Sequence, residues 1–561
     1  FSGYPPAMAT LPPDSSSPSL SRRLGTTAAI AMVVGSVIGS GIFAKPGDIA
    51  FFGGQFPLII GAWVVGGLVC LFGALCMSEL ARMHPAAGGH YVYMREAYGK
   101  PGAFLSGWND TLLVQPAANG ALSFLCIRTL AQLFGYKSGF GIWIDTSLAA
   151  SIIVLLTTVN VAGVVWGGLV QTITTIIKAG FLLAFASLPI FLLFGGSDVA
   201  SIANFGSEDI PDKEMMFRLT KIFLAIMWAY NGWHFVTPVA EEIRDPQKNL
   251  SRALIGGMVI LIVLYVIFTL AMHSVMSVTE VAEAGKFAPQ AAMKKMFPSQ
   301  ASLAVSIASV VVIISTFSAV NAGLLVVPRV TYAMARDRVF FPSLGKVHPR
   351  FKTPARSIAL QGIMAILLLL IVPAYITLLR LEDAQDTFDI LTDYSAFTSV
   401  VFYVMAVAAV MVLRWRQPDR ERPYRVPGYP FTPIIFLVFN IWFLFLVFTN
   451  TGQSALIGAG LIVLAIPVYY LMRREWLLFM KVLGIMAGAF LGLLLFRWIQ
   501  GGLGFPDLVS MLAGLPVIGA GALTGYFVVK GLSALSRKRV KPDSPNASTK
   551  PDDGKASEPP E

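Results

Sequence analysis

Cysteine is scarce in this chain. Three occur in 561 residues, Cys70, Cys76 and Cys126, each inside an apolar run, so neither a disulfide framework nor a thiolate metal site is expected. The five histidines are scattered, with no HExxH pattern and no Cys/His cluster, so no metal ligand set is expected and no cofactor. Charge is scarce too: Asp, Glu, Lys and Arg make up 13%, about half the ~25% of a soluble domain. Apolar runs of membrane-crossing length recur from end to end, which excludes a soluble globule and, away from the tips, a disordered chain. The ten-residue alternation of a transmembrane barrel is missing. The class that remains is an all-α polytopic membrane protein, with a mean hydropathy of +0.70. In that class the net charge of +11 reads as Lys and Arg collected in cytoplasmic loops rather than as a nucleic-acid surface.

Fourteen apolar segments are expected as spans, at about 25–53, 57–82, 102–134, 143–164, 167–194, 216–243, 250–276, 300–335, 356–379, 386–414, 432–450, 454–472, 476–499 and 507–532. Lys and Arg concentrate between Arg329 and Arg356 and between Arg414 and Arg425. Acidic groups gather at Asp198 to Glu214 and Glu382 to Asp389. This asymmetry places both termini in the cytoplasm of a multi-pass plasma-membrane protein. Residues 1–21 are Pro/Ser-rich, neither signal peptide nor span, and are expected to be a disordered tail. Residues 22–425 form the expected core and 426–532 carry additional helices. Residues 533–561 have the composition of a solvated cytoplasmic tail.

Two segments should not be continuous helix. The first span carries Gly39-Ser40-Gly41-Ile42-Phe43, and the sixth carries Ala229-Tyr230-Asn231-Gly232-Trp233, both near mid-depth. Each glycine costs a helix about 1 kcal/mol and lets backbone approach a ligand closely. Either motif alone also suits close helix packing. Their equivalent places in two five-span halves point instead to an inverted-repeat transporter with discontinuous helices. Interrupting a helix frees N–H groups on one side and C=O groups on the other. The N–H groups of Ser40, Gly41 and Ile42 suit a carboxylate. The carbonyls of Ser36, Val37 and Ile38, with those around Trp228, Ala229 and Tyr230, suit an ammonium. Together they would clamp an amino acid zwitterion without a charged side chain.

Lys178 stands in the fifth span about eleven residues from its inner end, hence about 16 Å deep at 1.5 Å per residue. A charge there costs at least about 2.5–3.5 kcal/mol on insertion scales, so it needs a partner. It either bridges carbonyls of neighbouring helices or titrates during a transport cycle. Glu79 is expected to pair with a loop arginine, and Asp110 to do the same. Asn321 is expected to hydrogen-bond between helices, and His234 to be a packed histidine or a pH-sensitive one.

As a set, several stretches resemble the amino acid–polyamine–organocation superfamily, and within it the L-type amino acid transporter branch. They are Gly39 to Phe43, Pro85-Ala-Ala-Gly-Gly-His-Tyr91, the sixth-span Tyr230-Asn-Gly-Trp233 with Glu241-Glu242 and Pro246 to Leu250, the region from Asn321 through Arg329 and Tyr332 to Asp337, Thr353-Pro354, and Leu413 to Pro423. The resemblance covers about residues 22–425. It implies a leucine-transporter-type fold of two inverted five-helix repeats with alternating access. It implies that Ser40 and Gly41 hold the substrate carboxylate, that Val37 and Ile38 offer carbonyls to the amino group, and that Trp228 is an aromatic gate. Lys178 looks like the fifth-helix lysine that replaces a sodium ion. Asn119, Asn231, Ser395, Phe397 and Ser399 would be pocket wall. Asn231 departs from the Gly-Gly often found at the sixth-span break and adds a polar contact there. Residues 135–141 contain no cysteine, so a disulfide-linked heavy chain is not expected, and the outlook is that of a single-chain bacterial member.

The leading expectation is therefore a sodium-independent amino acid transporter, working by exchange or proton coupling on neutral amino acids. A cationic amino acid or polyamine carrier is the alternative, disfavoured because no acid is placed in the expected pocket wall. An amino acid sensor without flux is a second alternative. An enzyme is not expected, because no nucleophile–base pair stands out, and a channel would need a ring of selectivity groups.

Overall fold

The computed structural model describes residues 24–486 apart from 137, 195–198, 207–212, 379–386, 452, 476 and 484. Both expected tails and the fourteenth span lie outside these residues, as does most of the thirteenth. Among the described residues there is no strand. A single bridge pairs Leu24 with Ile243. In chain order the helices are α1 (Thr26–Val37), α2 (Gly41–Ala44), α3 (Pro46–Gly53), α4 (Phe56–Met83), α5 (His90–Asn109), α6 (Gln115–Leu133), α7 (Ile142–Ala162), α8 (Val164–Phe194), α9 (Met215–Ala229), α10 (Pro246–Val275), α11 (Val278–Ala284), α12 (Ala288–Met296), α13 (Ala301–Val326), α14 (Pro328–Arg336), α15 (Ala355–Leu378), α16 (Thr387–Arg416), α17 (Phe431–Thr451) and α18 (Gln453–Met472).

Nine helical stretches among the described residues are long and apolar enough to cross a membrane. The third and sixth expected spans are not among them: α6 carries Gln115, Asn119, Arg128 and Gln132, and α9 is only 15 residues long. Between α5 and α6 the backbone passes through a π-helical turn, Asp110–Val114. After α9 the chain continues from Tyr230 to Val239 as successive turns, closed by 3-10 contacts such as Phe235 N–H to Gly232 O and Thr237 N–H to His234 O. The far side of the sixth break is therefore not a second α-helix but a tightly turned ribbon ending in a short 3-10 helix, Ala240–Glu242.

The chain separates into two units, residues 1–465 and 466–561. In the second, the described residues complete α18. In the first, spans at matching places of the two five-span halves pack on each other: α4 on α10, α6 on α13, and α7 on α15. That pairing is the signature of two repeats meeting about a pseudo-two-fold axis.

Local signals set the ends of these elements. Pro46 and Pro246 occupy first helical positions, where a missing N–H costs nothing. Ser277 and Glu280 form a reciprocal capping box. At the end of the bundle where α4 finishes, Leu24 N–H donates to Glu242 O and Arg244 N–H to Leu24 O. The chain entering the first span is thus hooked to the chain leaving the sixth. Arg329, fully buried on α14, donates to Glu242 at 3.1 Å and to the Leu325 carbonyl.

Glu79 is paired as expected. It accepts from Arg414 at 2.9 and 2.5 Å and from the Val426 N–H at 2.8 Å, with Arg422 at 3.5 Å. One buried carboxylate so ties α4 to the end of α16 and its following loop. Breaking a buried pair by removing one partner costs about 3–5 kcal/mol because the other charge stays behind. We expect Glu79→Ala to lower the apparent melting temperature of the purified protein by several degrees, and an unchanged melting curve would remove this tie from the fold's supports.

Candidate functional site

Both broken spans are present, and they pack on each other at their breaks. α1 ends at Val37 and α2 begins at Gly41, with Ile38 at ψ 80° between them. A Cβ at Gly41 would lie 2.2 Å from Ala229 Cα, so only glycine lets the start of α2 meet the end of α9. Gly232 has φ +101°, and a Cβ there would lie 3.4 Å from Ser36 O, so the second contact also favours glycine. A side chain at Gly41 would point at α9 rather than into the cavity, and a substitution would push the two breaks apart.

The freed backbone groups fall into two sets. Among the described residues, the N–H groups of Ser40, Gly41 and Ile42 donate to no backbone carbonyl; bonding resumes with Phe43 N–H to Ser40 O. On the other side, most freed carbonyls are already taken. Val37 O accepts from Gly39 N–H at 2.7 Å and from the Tyr265 hydroxyl at 2.9 Å. Ile38 O accepts from Lys178 at 2.7 Å and from Ser315 at 2.9 Å. Each oxygen has two lone pairs, so Val37 and Ile38 have none left for a substrate ammonium. Both were expected to serve it. The carbonyl that remains is that of Ser36, on the cavity wall.

Lys178 is fully buried, and its ammonium donates to Gly35 O at 2.5 Å, Ile38 O at 2.7 Å and Ser318 Oγ at 3.0 Å. Its three N–H groups meet three oxygens, which offsets the cost of placing the charge in lipid. It pins the broken end of α1 to α8 and α13. The hydroxyl of Tyr265, on α10, lies 2.9 Å from Val37 O and 3.1 Å from Ala229 O. One phenol proton is shared by the carbonyls that end both half-helices. Nothing in the sequence marked Tyr265, because a tyrosine in an apolar run is ordinarily core.

Between the breaks lies a small cavity of about 40 Å³, well below the ~300–1,000 Å³ of an open small-molecule site, so its walls must part to admit a solute. Backbone at Ser36, Gly39, Ser40 and Gly41 forms one wall. Gln115, Leu122, Trp228, Asn231, Phe235 and Ala319 complete most of the remainder. Among the described residues, no acidic or basic side chain lines it. Trp228 Nε1 donates to Ser40 Oγ at 3.0 Å. Its ring meets Phe388 edge-on at 6.4 Å, and Lys45 Nζ stands 5.1 Å over the other ring. Beyond this aromatic layer opens a charged cavity of about 360 Å³ at the α3 end, where Lys45 bridges Asp48 at 3.2 Å and Asp389 at 2.8 Å.

Several residues expected at the site lie elsewhere. Tyr230, expected to contribute its carbonyl, does not line the cavity, and its side chain turns away, donating to Trp63 O at 3.2 Å against the Trp63 and Tyr265 rings. Asn119 is buried one turn beyond the wall and accepts from Gln115 at 2.9 Å, so Gln115, unmarked in the sequence reading, takes its place. Ser395 donates to Val114 O at 3.1 Å and Phe397 is packed in the core; neither lines the cavity. Ser399 lines a second cavity of about 20 Å³ on the far side of Gln115, Asn231 and Phe235. Asn231 faces both cavities and accepts a hydrogen bond from Tyr403. Asn321 bridges helices as expected, donating to Gly167 O at 3.0 Å and accepting from Asn160 at 2.9 Å. Asp110 pairs with His90 rather than with an arginine.

Removing the Tyr265 hydroxyl leaves a buried carbonyl unsatisfied, at a cost of about 1–3 kcal/mol. We expect Tyr265→Phe to lower the apparent melting temperature and to loosen both breaks together, read as faster amide exchange at residues 34–43 and 228–236. Faster exchange at one break alone would contradict the shared-proton bridge.

Comparison with known proteins adds a family-level match. The sequence model described as "Amino acid permease" matches residues 24–472. The chain is 34% identical over 463 residues to the serine/threonine exchanger SteT of Bacillus subtilis (strain 168), covering 81% of this chain and 98% of that one. It is 30% identical over 467 residues to the human large neutral amino acids transporter small subunit 2, covering 81% and 80%. It is 28% identical over 426 residues to the mouse b(0,+)-type amino acid transporter 1, covering 76% and 82%. Among solved structures, Mhp1, a nucleobase-cation-symport-1 family transporter in a closed conformation with bromovinylhydantoin bound, superposes with a TM-score of 0.50 at 16% identity, over 82% of this chain and 96% of that one. That last likeness is one of fold.

Proposed function

Because this chain belongs to the amino acid permease family, with a leucine-transporter-type fold, we propose that it carries neutral amino acids across the plasma membrane by alternating access, independently of sodium. One observation carries the reading: two reciprocal helix breaks enclose an uncharged cavity lined on one side by Ser40 and Gly41, whose N–H groups, like that of Ile42 behind them, donate to no backbone carbonyl among the described residues, and on the other by Ser36. The substrate carboxylate sits on the N–H groups of Ser40, Gly41 and Ile42, at the N-terminal end of the second half-helix. The α-ammonium sits at Ser36 O. The side chain lies toward Gln115, Asn231, Leu122 and Phe235, where polar and apolar wall meet and no charge favours a cationic side chain.

Trp228 and Phe388 form the lid between the cavity and the charged vestibule, which faces outside if both termini are cytoplasmic. The Leu24–Glu242 hook and the Arg329–Glu242 pair then close the inner end. The oxygens around Lys178 would suit a monovalent cation, and the ammonium occupies them, which supports sodium independence. The names of the relatives, a serine/threonine exchanger and a large neutral amino acids transporter small subunit, favour neutral substrates. Without a cysteine in residues 135–141, the protein works without a disulfide-linked heavy chain.

The test is uptake of a radiolabelled amino acid panel into proteoliposomes. We expect saturable counterflow of neutral amino acids, unchanged when sodium is replaced by choline. Saturable binding with no counterflow would make the protein a sensor. Gly41→Val is expected to reduce uptake at least a hundredfold; uptake near wild type would remove the paired breaks from the substrate site. Lys178→Ala leaves Gly35 O and Ile38 O without their buried donor, and a fall of at least tenfold in initial rate is expected. A wild-type rate would show that the pin is dispensable.

A further inference from the structure

Beneath the substrate cavity, and sharing Gln115, Asn231 and Phe235 with it, lies the second, smaller cavity of about 20 Å³, room for about one water. Its wall gathers ionisable groups from three separate elements. His90 is the first residue of α5, Asp110 begins the π-helical turn, and His234 lies in the turned ribbon after α9. His90 Nε2 is bonded to Asp110 Oδ2, and the His234 ring stands 5.2 Å from the His90 ring. The Nδ1 atoms of both histidines are buried with no partner among the described residues. Tyr403 packs on His234 at 5.0 Å and donates to Asn231, which faces the substrate.

We propose that the His90–Asp110 pair, with His234 beside it, is a proton-binding site, and that one proton is carried with each amino acid. This rests on the carrier reading above and deepens it by naming the coupled ion. The geometry limits the site to one proton. Two imidazolium rings at 5.2 Å repel each other, whereas one imidazolium against the Asp110 carboxylate is a neutralised pair. The proton therefore adds to a neutral imidazole beside Asp110 and leaves from the same nitrogen, with His234 able to receive it in passing.

The π-helical turn explains why these groups meet. In an α-helix, residues four apart share a face, whereas a π turn brings residues five apart into line. Asp110 and Gln115 line the same cavity for that reason, so the protonated pair and a substrate contact stand on one rigid turn. Gly88 at φ +98° and Gly89 at φ +48° bring His90 in, and a Cβ on Gly89 would lie 2.5 Å from the Thr237 backbone.

The other titratable or charged groups near His90 are accounted for. α16 presents Tyr403, and α4 presents Met77, with Cys70 behind Tyr403. Glu79 is held by Arg414 and Arg422, Arg95 by Asp337, and Arg329 by Glu242. Lys178 is less suited to this role, because losing a proton would leave one of its three acceptors without a donor.

The experiment uses the full chain in proteoliposomes holding the pH dye pyranine, with L-serine and L-leucine as external probes and radiolabel counted in parallel. Wild type is expected to acidify the lumen as it takes up the probe, and to work at least threefold faster at pH 5.5 outside than at pH 7.5. Asp110→Asn and His90→Gln are expected to lower protons moved per amino acid at least fivefold and to bring the rate ratio between the two pH values toward one. Asp110→Glu, which keeps a carboxylate, should restore coupling. If Asp110→Asn does not purify, His90→Gln decides by the same ratio. Wild-type counterflow without proton movement, or unchanged coupling in the variants, overturns the proposal while the carrier reading stands. No counterflow of either probe or of the wider amino acid panel overturns both.

Discussion

Unpaired backbone in lipid is the constraint on which the rest of this structure depends. Each broken span leaves N–H and C=O groups that water cannot reach and that cost several kcal/mol apiece if left alone. The chain meets the carbonyls from outside the broken helices. Lys178, Ser315 and Tyr265, on three different helices, take Gly35, Val37, Ile38 and Ala229 between them. Among the described residues, the N–H groups at Ser40, Gly41 and Ile42 receive no such partner. In the proposed function, that asymmetry turns a structural liability into an anion site.

Charge is sorted along the same axis. The α3-end cavity carries Lys45, Asp48, Asp389 and Asp393, and the opposite cavity carries His90, Asp110 and His234. The cavity between them has no ionisable wall. A zwitterion crossing such a path meets fixed charges at both approaches and only backbone dipoles at the centre, where a charged side chain would hold one end of it too firmly. Aromatic rings mark both boundaries: Trp228 with Phe388 on one side, Phe235 on the other.

Much of this was legible beforehand, and the part that was not has a common cause. The breaks at Gly39 to Gly41 and at Asn231-Gly232 show in the sequence because glycines in an apolar run conflict with helix propensity. Lys178 and Glu79 show because charges in such runs demand partners. Gln115, Tyr265 and His90 did not show. Each is an ordinary residue for its segment, and its importance comes from what a neighbouring helix places opposite it. Asn119 was implied as wall by the family resemblance, and Gln115, one turn earlier, stands there instead, just after the π turn that shifts the facing of the residues near it. Tyr230 sits in the break, where its carbonyl was expected to serve the ligand, yet the turn there directs its side chain onto Trp63 of α4.

The sequence by itself determined that the chain spans the membrane as helices, where two of them break, and that an amino acid-like zwitterion suits the breaks. These follow from local composition and from the energetic cost of polar groups in lipid, which are properties of single segments. The tertiary structure alone decided which freed groups stay free. A carbonyl's second lone pair is filled or left open by a side chain more than a hundred residues away, as Ile38 is by Lys178 and Ser315, and no pattern along one segment records that.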